Sequence, residues 1–258
     1  MNSKKKFSIT VVISAYNETD QIKDCIASAK QLTRAIIVID IGSQDKTVEI
    51  AKKSGADVIP FPFSSYVEPS RQFAINAAQT DWVLILDADE RITSELAIEI
   101  KQTIQASRFS SYKISRKNIF GKQKWLKHGG WWPDYQIRLI NKNFFVDWPK
   151  TIHSTPVIKG NCGLLQNPLL HYFHGDIESM VKKTVIFEDI ESDLLLNANK
   201  PVSSSTFFRK FLGELNRRLL IKRGFMDGTI GIIEAIYQAF SKTITYLYLY
   251  EKKSSRSL

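Results

Sequence analysis

The first 110 residues alternate between short apolar runs and segments of helical spacing, and that order leaves few folds open. FSITVVIS (7–14), AIIVID (35–40), the short stretch 57–61 and WVLILD (82–87) are apolar and rich in β-branched residues. The longer of these runs are nearly continuous, as strands buried on both faces are, whereas a half-exposed strand would alternate polar and apolar residues. Between the runs, residues 19–31 place Ile22, Ile26 and Ala29 about a turn apart. Residues 45–53 read as a helix stopped by Gly55, 68–79 as a helix opened around Pro69, and 94–105 as a capped helix. The expected fold class is α/β: a mostly parallel sheet with helices on both faces. Such sheets bind ligands outside the carboxyl ends of their strands. The residues to examine are therefore Tyr16, Asn17 and Glu18 after the first strand, Asp40 closing the second, and Asp87 and Asp89 after the last.

The second half is patterned differently. YKISRKNIF (112–120) and QIRLIN (136–141) alternate as strands do, and they enclose a long loop, 122–134, rich in Lys, Gly and Trp. Aromatic faces of Trp125, Trp131 and Trp132 suit a sugar ring, and Lys122, Lys124 and Lys127 suit phosphates; a solvated loop anchored by one Trp is the plainer reading. After a polar stretch at 197–206 the chain turns helical and basic. Residues 199–258 hold eleven Lys or Arg against four Asp or Glu, which is +7 of the net +10. Phe207, Phe208, Phe211, Leu212, Leu215, Leu219 and Leu220 recur at helical spacing, with Arg and Lys between them, as in a helix lying in a membrane interface. Residues 228–250 are long enough to span a bilayer, but Glu234 and Lys242 interrupt them, which favours an amphipathic or dimerising helix, with helices packed on the catalytic domain as the plainer reading. The expected organisation is a catalytic domain over 1–197, with a nucleotide-binding half to about 110 and an acceptor half over 111–197, followed by a basic helical extension over 198–258. Cys25 and Cys162 have no metal or redox spacing and read as inert packing residues in a reduced setting. Lys4, Lys5 and Lys6 precede an apolar stretch as in a signal peptide, but Ser8, Thr10 and Ser14 break it with the period of a strand.

Asp87-Ala88-Asp89 carries the most chemistry. Hard divalent cations bind through a few carboxylates and a substrate's own phosphates, and then act as a Lewis acid on a departing phosphate. Taken alone, two aspartates one residue apart are more often a turn that ends a strand. His171 and His174, three apart, are a candidate metal pair, though without soft ligands a zinc site is not expected, and hydrogen-bonded core histidines explain them equally well.

Five segments in order, VVISAYNE (11–18), VIDIGSQDKT (38–47), PSRQFA (69–74), LDADER (86–91) and GGWWPDYQIRL (129–139), resemble the family 2 glycosyltransferases, and among them the bacterial branch that includes β-glucosyltransferases of lipopolysaccharide core assembly. The resemblance implies the Rossmann-like GT-A fold and an inverting transfer of a sugar from a nucleotide-sugar donor, UDP-linked by preference, with Mg²⁺ or Mn²⁺. It implies that Ala15, Tyr16 and Glu18 cradle the nucleotide, that Asp40 accepts a hydrogen bond from the base, and that Arg71 lies near the diphosphate. Asp87, Ala88 and Asp89 match the metal and diphosphate motif, with His171 as a further ligand. Asp134 matches the catalytic base, and Gln136, Arg138, Trp132, His153 and His174 the acceptor or diphosphate side. Ile41, Gly42 and Ser154 depart from the pattern and leave base and sugar preference open. The implied partners are a nucleotide sugar, a glycolipid or oligosaccharide acceptor and an anionic membrane surface, without nucleic acid, and with a homo-oligomer through the C-terminal helices as a further expectation. The implied location is the cytoplasm, peripheral on the inner face of the cytoplasmic membrane. A nucleotidyltransferase, a basic membrane- or nucleic-acid-binding protein, and a catalytically dead transferase fold are the competing readings. The first lacks its usual glycine-rich loop, the second any nucleic-acid module, and the third is opposed by the intact Asp40, Asp87, Asp89 and Asp134.

Overall fold

The computed structural model describes residues 8–106, 108–121, 123–174 and 177–255, with the side chains of His174, Ile177 and Ser179 left aside. The run Lys4 to Lys6 and Lys122 fall outside these residues. The chain forms two compact units. One comprises Met1–Arg116 and Tyr135–His171, the other Lys117–Asp134 and Tyr172–Leu258.

The first unit is the expected α/β body. Strands β1 (Ile9–Ala15), β2 (Ile36–Asp40), β3 (Asp57–Pro60) and β4 (Trp82–Asp87) lie in the order β3-β2-β1-β4, all parallel. Every residue of β1 is buried. Its odd-numbered side chains, Ile9, Val11, Ile13 and Ala15, pack with α1 (Ile22–Ala29) and α4 (Ser94–Ala106). Val12 packs on the other face with Ala74 and Ile75 of α3 (Glu68–Ala77). Both faces are thus covered, which is why these runs are apolar throughout rather than alternating. The third helix of the series, α2, is Thr47–Lys53.

Beyond β4 the sheet continues with strands the sequence only partly marks: β5 (Glu90–Arg91), β6 (Ser111–Phe120), β7 (Lys124–Trp125), β8 (Asp134–Asn141), β11 (Cys162–Leu164) and β12 (Leu169–His174), while β9 (Phe145–Asp147) and β10 (Val157–Ile158) form a separate two-stranded antiparallel sheet. β8 runs antiparallel to β4, with Leu84 opposite Leu139. The two-residue β5 pairs antiparallel with β12, setting His171 opposite Glu90. Cys25 is fully buried, and burial pushes its thiol well above the ordinary range. Cys162 departs from the packing expectation: it is exposed on β11.

The second unit is mainly helical: α5 (Ile177–Asn197), α6 (Ser204–Asn216) and α7 (Gly228–Ser255), with one π-helical turn at Arg217–Ile221 and a 3-10 turn at Gly224–Asp227 between the last two. Compactness does not follow the division expected at residue 197. α5 groups with the C-terminal helices because Ser241 and Thr245 of α7 donate to its Glu188, and Lys252 pairs with Asp193 at 2.6 Å. Gly231 is required by close approach, since a Cβ there would lie 2.0 Å from the carbonyl oxygen of Gly224. No helix among the described residues is long and apolar enough to cross a membrane.

Candidate active site

In the first unit, the loops after β1 and β2 are laced together. Asn17 N–H donates to Ser43 Oγ at 3.0 Å, and Gln44 N–H donates to Asn17 Oδ1 at 2.8 Å. Glu18 N–H donates to Thr47 Oγ1 at 2.7 Å, and Thr19 Oγ1 to Asp45 Oδ2 at 2.6 Å. Burial alone would raise the Asp45 pKa, but hydrogen bonds from Thr19 and Thr47 outweigh it and hold the carboxyl below its ordinary value. Asp40 ends β2 and accepts from Ser43 N–H at 3.2 Å, a turn that Gly42 completes at a φ of +83°. The departure at Gly42 thus has a local cause. Ala15 is buried, whereas Tyr16 is exposed, its ring 5.1 Å from that of Phe63. This strand-end ledge is the surface the sequence assigned to a nucleotide.

At the end of β4 lies a network of carboxylates and guanidiniums. Asp87 Oδ1 accepts from Arg71 Nη2 at 2.6 Å, and Asp87 Oδ2 from Arg138 Nη2 at 2.5 Å. Arg138 Nη2 also donates to Glu90 Oε1 at 2.6 Å, and Arg116 stands 3.6 Å from the same oxygen. Glu90 closes the turn by accepting from Asp87 N–H at 3.1 Å. Burial would raise the pKa of Asp87, but the charges of Arg138, Arg71 and Arg116 outweigh it and hold the carboxyl well below the usual carboxylate range. Arg138 is correspondingly held charged: burial would lower its pKa, and Asp87 and Glu90 raise it further. Arg91 binds the backbone of the turn, donating to the carbonyls of Ala88 at 2.8 Å and Glu90 at 2.9 Å, and reaches Gln21 Oε1 at 2.6 Å. Arg71 Nη1 and Arg138 Nε are buried without a hydrogen-bond partner among the described residues. Arg71, Arg116 and Arg138 thus converge on the two carboxylates of Asp87 and Glu90.

The expected metal ligands divide. Asp87 has both oxygens engaged by arginines. Asp89 Oδ2 instead stands 3.5 Å from His171 Nε2, a proximity that the pairing of β5 with β12 creates. No group of three His, Cys, Asp or Glu close enough to hold a metal occurs among the described residues. Asp89 and His171 offer one oxygen and one nitrogen, a set that fits a divalent cation whose remaining ligands are substrate oxygens and water. Gln136 and Arg138 share one face of β8. His153 is exposed, at a φ of +58°, and its N–H donates to Glu68 Oε1 at 2.8 Å at the start of α3.

The second unit contains Asp134, whose Oδ2 accepts from Asn118 Nδ2 at 3.2 Å while Asn118 Nδ2 also donates to the Trp131 carbonyl at 2.9 Å. The Trp-rich loop is held by its own aromatics and by cations. Trp132 packs edge-on to Trp125 at 5.4 Å, and Trp131 lies 4.7 Å from Phe173. Lys127 stands 4.5 Å and Lys117 4.7 Å from the Trp125 ring. Asp227 Oδ2 accepts from the N–H groups of Lys127 at 2.9 Å and His128 at 2.7 Å, and its Oδ1 lies 2.9 Å from His128 Nδ1.

Glu90, Arg91, Arg116, Asp45 and Asn118 were missed as site-building residues. LDADER holds the first two, and an acid followed by a base directly after a strand-end aspartate pair is the signal that could have found them.

A mostly parallel α/β sheet with flanking helices and polar loops joined at its carboxyl edge is the GT-A arrangement. Sequence comparison agrees: the family described as Glycosyl transferase family 2 matches residues 10–165. The chain belongs to that family and is a glycosyltransferase. It is similar to an uncharacterized glycosyltransferase of Rickettsia conorii, 29% identical over 97% of this chain and 93% of that one, and to one of Rickettsia typhi, 30% identical over 94% and 87%. Among solved structures it is similar to S. aureus TarS 1-349, at 14% identity over 97% of this chain and 92% of that one with a TM-score of 0.48. It is also similar to glucosyl-3-phosphoglycerate synthase from Mycobacterium tuberculosis in complex with Mn²⁺, UDP and glucosyl-3-phosphoglycerate, at 15% identity over 78% and 83% with a TM-score of 0.46.

Proposed function

We propose that the protein is an inverting hexosyltransferase that takes its sugar from a nucleotide-sugar donor, UDP-linked by preference. One observation carries the donor reading: Asp87 is pinned between Arg71 and Arg138, whose buried Nη1 and Nε atoms respectively have no hydrogen-bond partner among the described residues, next to an Asp89–His171 pair 3.5 Å apart. A diphosphate offers negative oxygens to those guanidinium atoms and to a metal. Ala15, Tyr16, Glu18 and Asp40 hold the nucleoside on the strand-end ledge. Asp89 and His171 would hold Mg²⁺ or Mn²⁺, which when bound supplies Lewis-acid stabilisation of the leaving diphosphate. Asp87 acts through its arginines rather than as a direct ligand: it fixes Arg71 and Arg138 in the charged, oriented state in which they receive phosphate oxygens. Asp134, oriented by Asn118, takes the proton from the acceptor hydroxyl as it attacks the anomeric carbon. Gln136, Trp132, His153 and His174 serve the acceptor or diphosphate side.

The acceptor in this reading is a glycolipid or oligosaccharide of the bacterial envelope, with the lipopolysaccharide core as the assembly the motifs suggest, and the enzyme works peripherally at the inner face of the cytoplasmic membrane. A panel of UDP-, GDP- and ADP-linked sugars, screened by thermal shift with and without Mn²⁺, tests the donor assignment. A rise in melting temperature with one nucleotide class, larger with Mn²⁺ and lost in Asp89→Asn, is expected from mass action. The absence of a shift with every donor overturns it.

A further inference from the structure

The connection between α6 and α7 exposes a run of large apolar side chains. Within residues 220–226, Leu220 is 59% exposed, Ile221 66%, Phe225 50% and Met226 54%. Phe208 and Leu212 on α6 are exposed as well, and an apolar groove of about 350 Å³ opens between α6 and α7. Contiguous apolar side chains of this kind mark a binding surface rather than a solvated one. The charge beside them chooses the occupant. Residues 217–223 read RRLLIKR, four cations and no acid, and Lys222 and Arg223 are exposed between Ile221 and Phe225. Apolar anchors flanked by cations suit a bilayer with anionic headgroups, whereas two copies of this face would bring their cations together. The same segment is fastened to the Trp-rich loop: besides the Asp227 contacts, Gly129 N–H donates to the Lys222 carbonyl at 2.8 Å, and Arg218 Nη1 donates to the Gly129 carbonyl at 3.2 Å.

We propose that residues 217–228 form a docking wedge for the anionic surface of a lipid bilayer. Leu220, Ile221, Phe225 and Met226 enter the headgroup–acyl boundary, and Lys222 and Arg223 meet anionic headgroups. Because wedge and Trp-rich loop are hydrogen-bonded, docking carries that loop to the lipid surface, where a lipid-linked acceptor resides. This consequence for the acceptor rests on the transferase reading above; the docking does not, and it is tested without donor or acceptor.

The full chain is sedimented with vesicles of phosphatidylcholine alone or of equal parts phosphatidylcholine and phosphatidylglycerol. Binding to the anionic vesicles, weakening as salt is raised, is expected. Lys222→Gln/Arg223→Gln should bind about 25-fold more weakly, at about fivefold per cation lost. Replacing Leu220, Ile221, Phe225 and Met226 together by serine should abolish pelleting, while Ile98→Ser, equally exposed at 59% on α4, should leave it unchanged. The replaced apolar side chains are at least half exposed and the two cations are exposed, and melting curves check that the variants fold; should the serine variant fail, the Lys222/Arg223 pair decides alone. Equal pelleting by wild type and variants, or none with anionic vesicles, overturns the proposal. So does a lipid-independent dimer in gel filtration that the serine variant loses, since that outcome assigns the face to a second copy.

Discussion

Replacing Glu234 by glutamine removes a titratable group from the middle of α7 at nearly constant shape. The Glu234 side chain is fully buried, and Gln238 offers its carboxyl at most a marginal hydrogen bond. Burial raises its pKa to about 7; Gln238 one turn on and the charge of Arg218 offset only part of that. An ordinary glutamate titrates near 4.5. The folded state therefore holds its proton more tightly than the unfolded state, so the carboxyl's contribution to stability is complete below the unfolded pKa and is lost as pH rises through about 7. At about 1.4 kcal/mol per pKa unit, the difference amounts to roughly 3 kcal/mol. Glu234→Gln should accordingly match wild type near pH 4.5 and exceed it by roughly 3 kcal/mol at pH 8, or about 6–12 °C in Tm for a chain of this size. Thermal and urea unfolding followed by circular dichroism at both pH values measure this. A variant whose stability falls with pH as steeply as wild type would show that Glu234 is solvated or paired when charged, and the reasoning would fail.

Two further perturbations test the site. Arg138→Met leaves Asp87 without one of its two guanidinium hydrogen-bond partners and buried Glu90 with, among the described residues, Arg116 at 3.6 Å as its remaining cation, so urea unfolding should show a loss of about 3–5 kcal/mol; a loss under about 1 kcal/mol means the network is relaxed by water. Asp134→Asn should lower kcat by about 10²- to 10⁴-fold while donor binding by thermal shift stays near wild type, and near-normal turnover would assign the base to another residue.

The sequence carried the body of the first unit well, because its signals are local. Continuous β-branched runs buried on both faces, Gly55 and Pro69 at helix ends, and polar residues immediately after strands are all properties of short segments. β5, only Glu90–Arg91, was invisible because two residues carry no period, yet its pairing with β12 is what brings His171 to Asp89. The grouping of α5 with the C-terminal helices was likewise hidden, since it depends on Glu188 meeting Ser241 and Thr245 more than fifty residues away.

What the sequence determined by itself was the α/β class, the family, and the strand ends at which Asp40, Asp87 and Asp89 would emerge. Tertiary structure decided how those groups are used. It committed both oxygens of Asp87 to Arg71 and Arg138, and it left Asp89 to His171. Periodicity is written along the chain and can be read there. A carboxylate's partners are set by which distant strands lie side by side, and that information exists only once the sheet has formed.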